Sequence, residues 1–435
     1  EQISDSTNTT EYGYDSEHNV ISITQEDITT SIDRKSTYQV EEISKNNVRT
    51  TFVYNSSTNQ IEETYIGYDQ NASAQDKWFK TSTTYTGDGQ YVDSVTDEFG
   101  NTSTTSMDYS VGVISNIMDA LGNSQEFVYD EYGNLESTIA YENGTSNTLS
   151  SSYVYDSNGR LWKINRDGYY YEFNYNSLDQ VSSVDIAGTE IMSYDYWDQI
   201  EGTTTYYTDL LKKQIYGNND YVEFTYNTEN QVKTISFNGT IRYDYEYDSS
   251  GRLSVFKDIH NSNIYFYSYD LAGRIEAVTD KDGNVINYTY DNDGNLNGYD
   301  YSIGSVTRGV EYHYNQITGE YDYTQYLIGS TTVTKDYDYE VDSLRRLDTI
   351  ELLVGIHSYT KTFNYDDNNV DSSMGNATNR IRSITYNNNG VGSTYYYEYD
   401  GNHNITQILI SNYDTQTTDI YNYYEEIEKA IAKKN

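Results

Sequence analysis

A seven-residue pattern, Tyr-Asp-x-x-Gly-(Arg/Asn)-(Leu/Ile), recurs along this 435-residue chain. Clean copies begin at Tyr129, Tyr155, Tyr247, Tyr269 and Tyr290. They continue through Asp130, Asp156, Asp248, Asp270 and Asp291 and reach their glycines at Gly133, Gly159, Gly251, Gly273 and Gly294. The last three copies are spaced by roughly 20 residues, a period that signals a stacked array. A unit that short cannot bury a core alone. Function must therefore be read from an assembly of like units rather than from one catalytic domain.

The flanks identify the unit. Tyr243, Tyr245 and Tyr247 alternate into the turn at Asp248, and Leu253 and Val255 lead out. Tyr265, Tyr267 and Tyr269 do the same into Asp270, followed by Ile275 and Val278. Period-two aromatics on both sides of a turn signal mark a β-hairpin. Asp opens such a turn by bonding backbone two residues on, and Gly supplies the left-handed residue that closes it. A second turn class, opened by Asp97, Asp119 and Asp280, lacks the leading Tyr. Since Asp280 falls between two Tyr-Asp turns, the turns alternate between the two edges of a long antiparallel meander. Degenerate copies at Tyr14, Tyr54, Tyr175, Tyr226, Tyr365, Tyr386 and Tyr399 extend the pattern over residues 11–411, with His18 and His403 at the glycine position. About 28 strands are expected, with longer hairpins in residues 300–345, which are Tyr-rich but poorly in register.

Composition bounds the partners. Lys and Arg number 27 against 68 Asp and Glu, a net charge of −41. Phosphate recognition needs a basic face, so nucleic acid is excluded as a partner, and an anionic membrane is as unfavourable. The charge suits a cationic partner or divalent cations, and equally plain solubility. The 53 Tyr set the chain apart from disordered acidic sequences, and a core of Tyr rings is expected. With no Cys there is neither a disulfide nor a thiolate metal site. No run reaches the roughly 20 apolar residues of a spanning helix. The first residues lack the basic start and apolar stretch of a signal peptide.

With these residues in view, the chain resembles the YD-repeat proteins: bacterial Rhs proteins, wall-associated proteins of Gram-positive bacteria, shells of insecticidal toxin complexes, and teneurins. Residues 155–161 (Tyr-Asp-Ser-Asn-Gly-Arg-Leu), 247–253 and 269–275 carry the likeness, which spans nearly the whole chain. The resemblance implies an all-β fold in which tandem hairpins form a curved, spiralling antiparallel sheet, a shell or part of one. It further implies an extracellular or bacterial cell-surface setting and an enclosed or downstream polypeptide as partner. Many relatives cleave themselves through aspartates beside proline. This chain has no Pro, so neither that step nor any catalytic aspartate is carried over.

The tail differs. Ile420, Tyr424, Ile427 and Ile431 lie at helical spacing, with Glu425 and Lys429 as an i,i+4 pair. An amphipathic helix over 419–433 is expected, in a segment 412–435 that caps the repeats or links them onward.

Candidate chemistry is sparse. The Asp280 and Asp291 loops resemble calcium loops, but their Gly comes fourth, where a hairpin needs it, rather than sixth. No cofactor is expected beyond adventitious calcium on stacked Asp turns. No two of the five His stand at metal-site spacing, and no nucleophile elbow or phosphate loop is present. Trp162, Trp197, Tyr169 and Tyr171 are candidates for stacking on sugar rings, against the alternative of cross-strand ladders. Three functions follow in order: a non-enzymatic scaffold that encloses or presents another polypeptide, an adhesin that binds glycans or cell-surface proteins, and an enzyme.

Overall fold

In a computed structural model the described residues form 36 strands and one 3-10 turn, Asp367–Asn369. The structure describes all residues except 1, 5–8, 26–27, 37, 46–47, 68–76, 167, 202–203, 292–293, 304, 316–318, 341–343, 355, 389, 413–417 and 423–435. It divides into two compact units. One holds Glu1–Ser124, Thr289–Gly298 and Thr307–Asn435; the other holds Gln125–Tyr288 and Tyr299–Val306.

Within each unit the sheet is a meander. Every described pairing is antiparallel and joins consecutive strands, as in Thr240–Tyr247 with Leu253–Asp258, and Leu253–Asp258 with Asn263–Tyr269. The Tyr-Asp turns lie along one edge, here called the Tyr-Asp edge. The turns at Asp97, Asp119 and Asp280 lie on the opposite, return edge. Tyr386-Asn387 is the exception among the degenerate copies. It ends the strand Ile381–Asn388 and leads into a tight hairpin on the return edge, not a Tyr-Asp turn.

The strand count exceeds the expected 28 because several hairpins close without the motif. One runs through Tyr85 and Thr86, and another through Tyr339 and Glu340. Strands of 8 or 9 residues from Leu296–Ile303 to Thr331–Tyr339 bear out the longer hairpins. Longer still are Thr189–Glu201 and Thr204–Tyr216, 13 residues each, which extend one hairpin into an arm. At the C-terminus Thr418–Asn422 is a strand paired with Ile405–Asn412, in the first residues of the stretch expected to be helical. The rest of that stretch, 423–433, lies outside the described residues.

Alternation sorts the two faces. In the second unit Tyr243, Tyr245, Phe256 and Tyr265 share one face. The Phe256 ring lies 5.3 Å from Tyr245 and 6.1 Å from Tyr265. On the other face Lys257 reaches Asp244 at 3.0 Å and also pairs with Glu246. These rings are only partly buried. The expected Tyr core is not what the sheet contains. Among the described residues the buried apolar side chains are Phe79, Val310, Leu344, Met374, Ala377 and Ile384, all in the first unit.

Candidate functional site: latched turns and a seam

Each part of the repeat motif has a task. Asp248 Oδ1 accepts the amides of Ser250 and Arg252, and Oδ2 accepts Arg252 Nε. Asp130, Asp156 and Asp270 act alike on their own turns. These bonds favour the ionised carboxylate. The Arg160 guanidinium holds Asp156 below the usual range, the Asn134 side chain does so for Asp130, and the Arg252 amide for Asp248. The fourth residue is left-handed throughout, with φ of +84°, +81°, +79°, +84° and +86° at Gly133, Gly159, Gly251, Gly273 and Gly294. His18 and His403, at φ +66° and +62°, hold the same conformation without glycine. At Asp280 and Asp291 the carboxylates likewise take their own turns' donors at Asn284 and Asn295, so these loops are built as hairpin turns.

The motif Tyr works between repeats. A β-bulge beside each turn shifts the register, as between Glu246 and Tyr247, where Tyr247 pairs with Leu253. The carbonyl of such a bulged aliphatic residue is taken by the phenol of the next repeat. Tyr269 donates to Leu253 at 2.7 Å, Tyr247 to Val232 at 2.8 Å, Tyr226 to Leu211 at 2.8 Å, Tyr196 to Val181 at 2.9 Å, Tyr175 to Leu161 at 2.6 Å and Tyr155 to Leu135 at 3.0 Å. The second unit thus carries an unbroken run of latches. The first repeats the device at Tyr54, Tyr85, Tyr365 and Tyr399. Where the motif has Arg, the guanidinium lies over the latching ring: Arg160 on Tyr175 and Arg252 on Tyr269, both at 4.4 Å. Burial pushes the Tyr247 and Tyr269 hydroxyls up, which keeps them protonated as donors.

The first unit adds a seam that the sequence did not announce. Its N-terminal strands present their return edge to the Tyr-Asp edge of its C-terminal strands. Phe79 bridges to Gly375, Lys80 N donates to Met374 O at 2.7 Å, and Asn376 N to Trp78 O at 3.0 Å. A Cβ on Gly375 would stand 2.5 Å from Trp78 O, so the approach requires glycine there, at φ +149°. Phe79, Leu344 and Ala377 bury one another, with Ile66 against them. Arg346 is buried between Glu340 (2.6 Å) and Asp367 (2.7 Å), and Lys77 also reaches Asp367 at 2.6 Å. Burial raises the Asp367 pKa, but Arg346, Lys77 and the Thr378 amide outweigh it and hold the group below its usual range.

Further along the seam, turn tips meet turn tips. Phe99, at the tip of the Asp97 turn, lies under the Arg380 guanidinium at 3.5 Å and 5.2 Å from the His403 ring. Arg380 also covers Tyr399 at 4.7 Å, as motif Arg residues do elsewhere. His403 Nε2 contacts Asp97 Oδ2 at 2.7 Å and its Nδ1 faces Arg380 at 3.2 Å. A guanidinium only donates, so Nδ1 accepts and Nε2 carries the proton toward Asp97. Asn402 Nδ2 donates to Asp119 Oδ2 at 2.6 Å.

Of the aromatic candidates, Trp162, Tyr169 and Tyr171 share one face of the paired strands Leu161–Arg166 and Tyr169–Tyr175, and Trp197 stands elsewhere. Trp197 stands at the base of the long arm with its indole N–H bonded to Phe224 O at 3.0 Å and Lys212 over its ring at 4.8 Å. Tyr169 and Tyr171 lie on one strand, 67% and 39% exposed, and Trp162 is 41% exposed. The structure does not gather the four into one site.

No protein-family model matches the chain. Over 179 residues, 38% of this chain, it is 26% identical to the tRNA3(Ser)-specific nuclease WapA of Bacillus spizizenii, of which the match spans 7%. The crystal structure of TcdB2-TccC3 aligns over 96% of the chain with a TM-score of 0.55 at 12% identity. The Tc holotoxin pore of Photorhabdus luminescens aligns over 96% with a TM-score of 0.51, also at 12% identity. This chain spans only about a quarter of those two, 27% and 26%. At such identity the likeness speaks for the fold. The chain is an all-β array of antiparallel hairpins. Its fold is like that of TcdB2-TccC3, and its Tyr-Asp turns resemble those of YD-repeat proteins.

Proposed function

We propose that this chain is a non-enzymatic wall segment of a toxin-related YD-repeat protein, secreted or carried on a bacterial surface, that encloses or presents another polypeptide. The observation that carries this reading is where the polar chemistry goes. Turn carboxylates close their own turns, motif Arg residues cover the next repeat's ring and Tyr hydroxyls bond the preceding repeat, which builds a wall rather than a cleft. No helix among the described residues is long and apolar enough to cross a membrane. The relatives' toxin context supports the setting. The nuclease activity named for WapA belongs to a protein of which the match covers a small part. Cryo-electron microscopy of the chain is the test. A sheet wound around a cavity with density inside supports enclosure, and a solid or extended stack overturns it.

Glycan binding is the second reading, favoured by the exposure of Tyr169 and Tyr171. An oligosaccharide array that lights up with this chain, and goes dark with Tyr169→Ala, would establish it. Calcium on the acidic turns is tested in the same preparation by thermal unfolding with and without chelator.

A further inference from the structure

Two lysines of the first unit stand where the strand register gives them no carboxylate. In the second unit Lys163 stands opposite Glu172 and reaches it at 3.1 Å, and Lys257 stands opposite Asp244 and reaches it at 3.0 Å. By contrast Lys335, on Thr331–Tyr339, stands opposite Thr324 and Leu352. Lys361, on His357–Tyr365, stands opposite Ile350 and Tyr386. Among the described residues no carboxylate forms an ion pair with either lysine.

Both project from one face of the sheet, because paired residues share a face and alternate residues return to it. Across the strand between them, Leu347–Val354, one row runs Lys335, Leu352, Tyr359 and the next runs Ile350, Lys361, Tyr386. Cations and phenol rings thus flank an aliphatic floor. Lys335 lies over the Tyr337 ring at 5.0 Å, and Lys361 lies 5.0 Å from Phe363 and 5.4 Å from Tyr386. Two strand spacings and two residues of rise put the lysine backbones roughly 12 Å apart. An open groove of about 520 Å³ runs over this patch, and its lining adds Asn388 and Val391 but no Asp or Glu. Tyr359 and Tyr386 are 41% and 43% exposed there.

We propose that this groove binds a short acidic saccharide, with two of its carboxylates on Lys335 and Lys361 and its ring faces on Tyr359 and Tyr386. Charge complementarity selects an anion, since these are two uncompensated cations on one apolar floor in a chain of net charge −41. The sheet face selects against a peptide. Its main-chain groups are used in the ladders, so an extended peptide finds none of the backbone partners that a sheet edge offers. A sugar needs only ring faces and side-chain donors. The net charge also limits length. Repulsion is screened beyond about 8 Å at physiological salt, so a few carboxylates held over the lysines are tolerated. A long polyanion running on over the acidic surface is not. The groove is separate from Tyr169 and Tyr171 and shares with the second reading above only a class of ligand. It does not depend on whether anything is enclosed.

The test is a titration of the intact chain with a hexasaccharide of galacturonic acid, read by saturation-transfer NMR. Binding is expected, and methyl esterification of the carboxylates should abolish it. Lys335→Gln and Lys361→Gln should each weaken it about five-fold, the worth of one partly exposed ion pair. Lys233→Gln, the same loss of charge on the strand Val232–Phe237 of the second unit, should leave it unchanged, as should Tyr169→Ala. Circular dichroism verifies that the variants fold. The proposal is overturned by no binding, by equal binding of the ester, or by a loss with Lys233→Gln as large as that with Lys361→Gln. Tighter binding of a peptide of alternating Glu and Tyr also overturns it. Binding that is lost with Tyr169→Ala and indifferent to both lysines overturns it in favour of the other site.

Discussion

Phe79, Leu344 and Ala377 close the first unit around a small dry cluster, joined by the buried Arg346 and by backbone bonds between residues nearly 300 apart in sequence. The second unit has no buried apolar side chain among its described residues and relies on its ladders, its six phenol latches and the partly exposed rings between them. The same repeat thus stabilises sheet in two ways. One is long-range and concentrated, so a single substitution can undo much of it. The other is a sum of neighbour terms, each small, as in other repeat arrays.

That contrast can be broken most directly at Phe79. Phe79→Ala should cost about 3–5 kcal/mol, felt in the first unit. Hydrogen exchange should show faster opening of first-unit amides with those of Gln125–Tyr288 unchanged. Uniform acceleration would mean that the units do not differ as argued. Asp367→Ala comes next, at about 3 kcal/mol, because it strips one partner from the buried Arg346 guanidinium. Denaturant midpoints measure it, and Asp367→Asn should recover little.

A glycine pair sharpens the comparison. Gly375→Ala forces a Cβ onto Trp78 O in the seam and should cost about 2–3 kcal/mol. Gly273→Ala meets only the end of the Arg252 side chain and should cost about 1 kcal/mol for its left-handed backbone. Equal losses would refute the account of the seam. Tyr247→Phe leaves the bulge carbonyl of Val232 without its donor, for about 1–2 kcal/mol in the second unit.

Acid should produce the smallest and most even effect. Asp15 and Asp119 in the first unit, and Asp130, Asp156, Asp248 and Asp270 in the second, titrate below their unfolded value near 4. Their contribution is complete above that value and is lost as pH falls through the folded pKa values. Thermal midpoints measured from pH 6 to pH 2 should therefore drop below about pH 4 in both units alike. A midpoint that rises there would show that relief of the net charge of −41 outweighs the turns.

Residues 247–253 and 269–275 were enough to read the hairpins, the alternating edges and the left-handed fourth position, because turn chemistry is local. His18 and His403 were correctly placed at that position for the same reason. The acceptor of the Tyr hydroxyl was not legible, since it lies 14 to 24 residues upstream on a carbonyl that only the bulge sets free. Phe79, Leu344 and Ala377 carry no periodic signal, and nothing local ties Asp97 to His403 or Asp119 to Asn402. The 13-residue arm was hidden because Tyr196 keeps the latch but lacks the Asp and Gly that mark a turn.

The latches also have a direction. Every one described runs from a Tyr back to an earlier carbonyl, and none runs forward. A chain that appears amino-terminus first, as during synthesis, finds the acceptor for each new hairpin already in place. Assembly can then advance like a ratchet, one click per repeat, with a growing tip that never waits for sequence still to come.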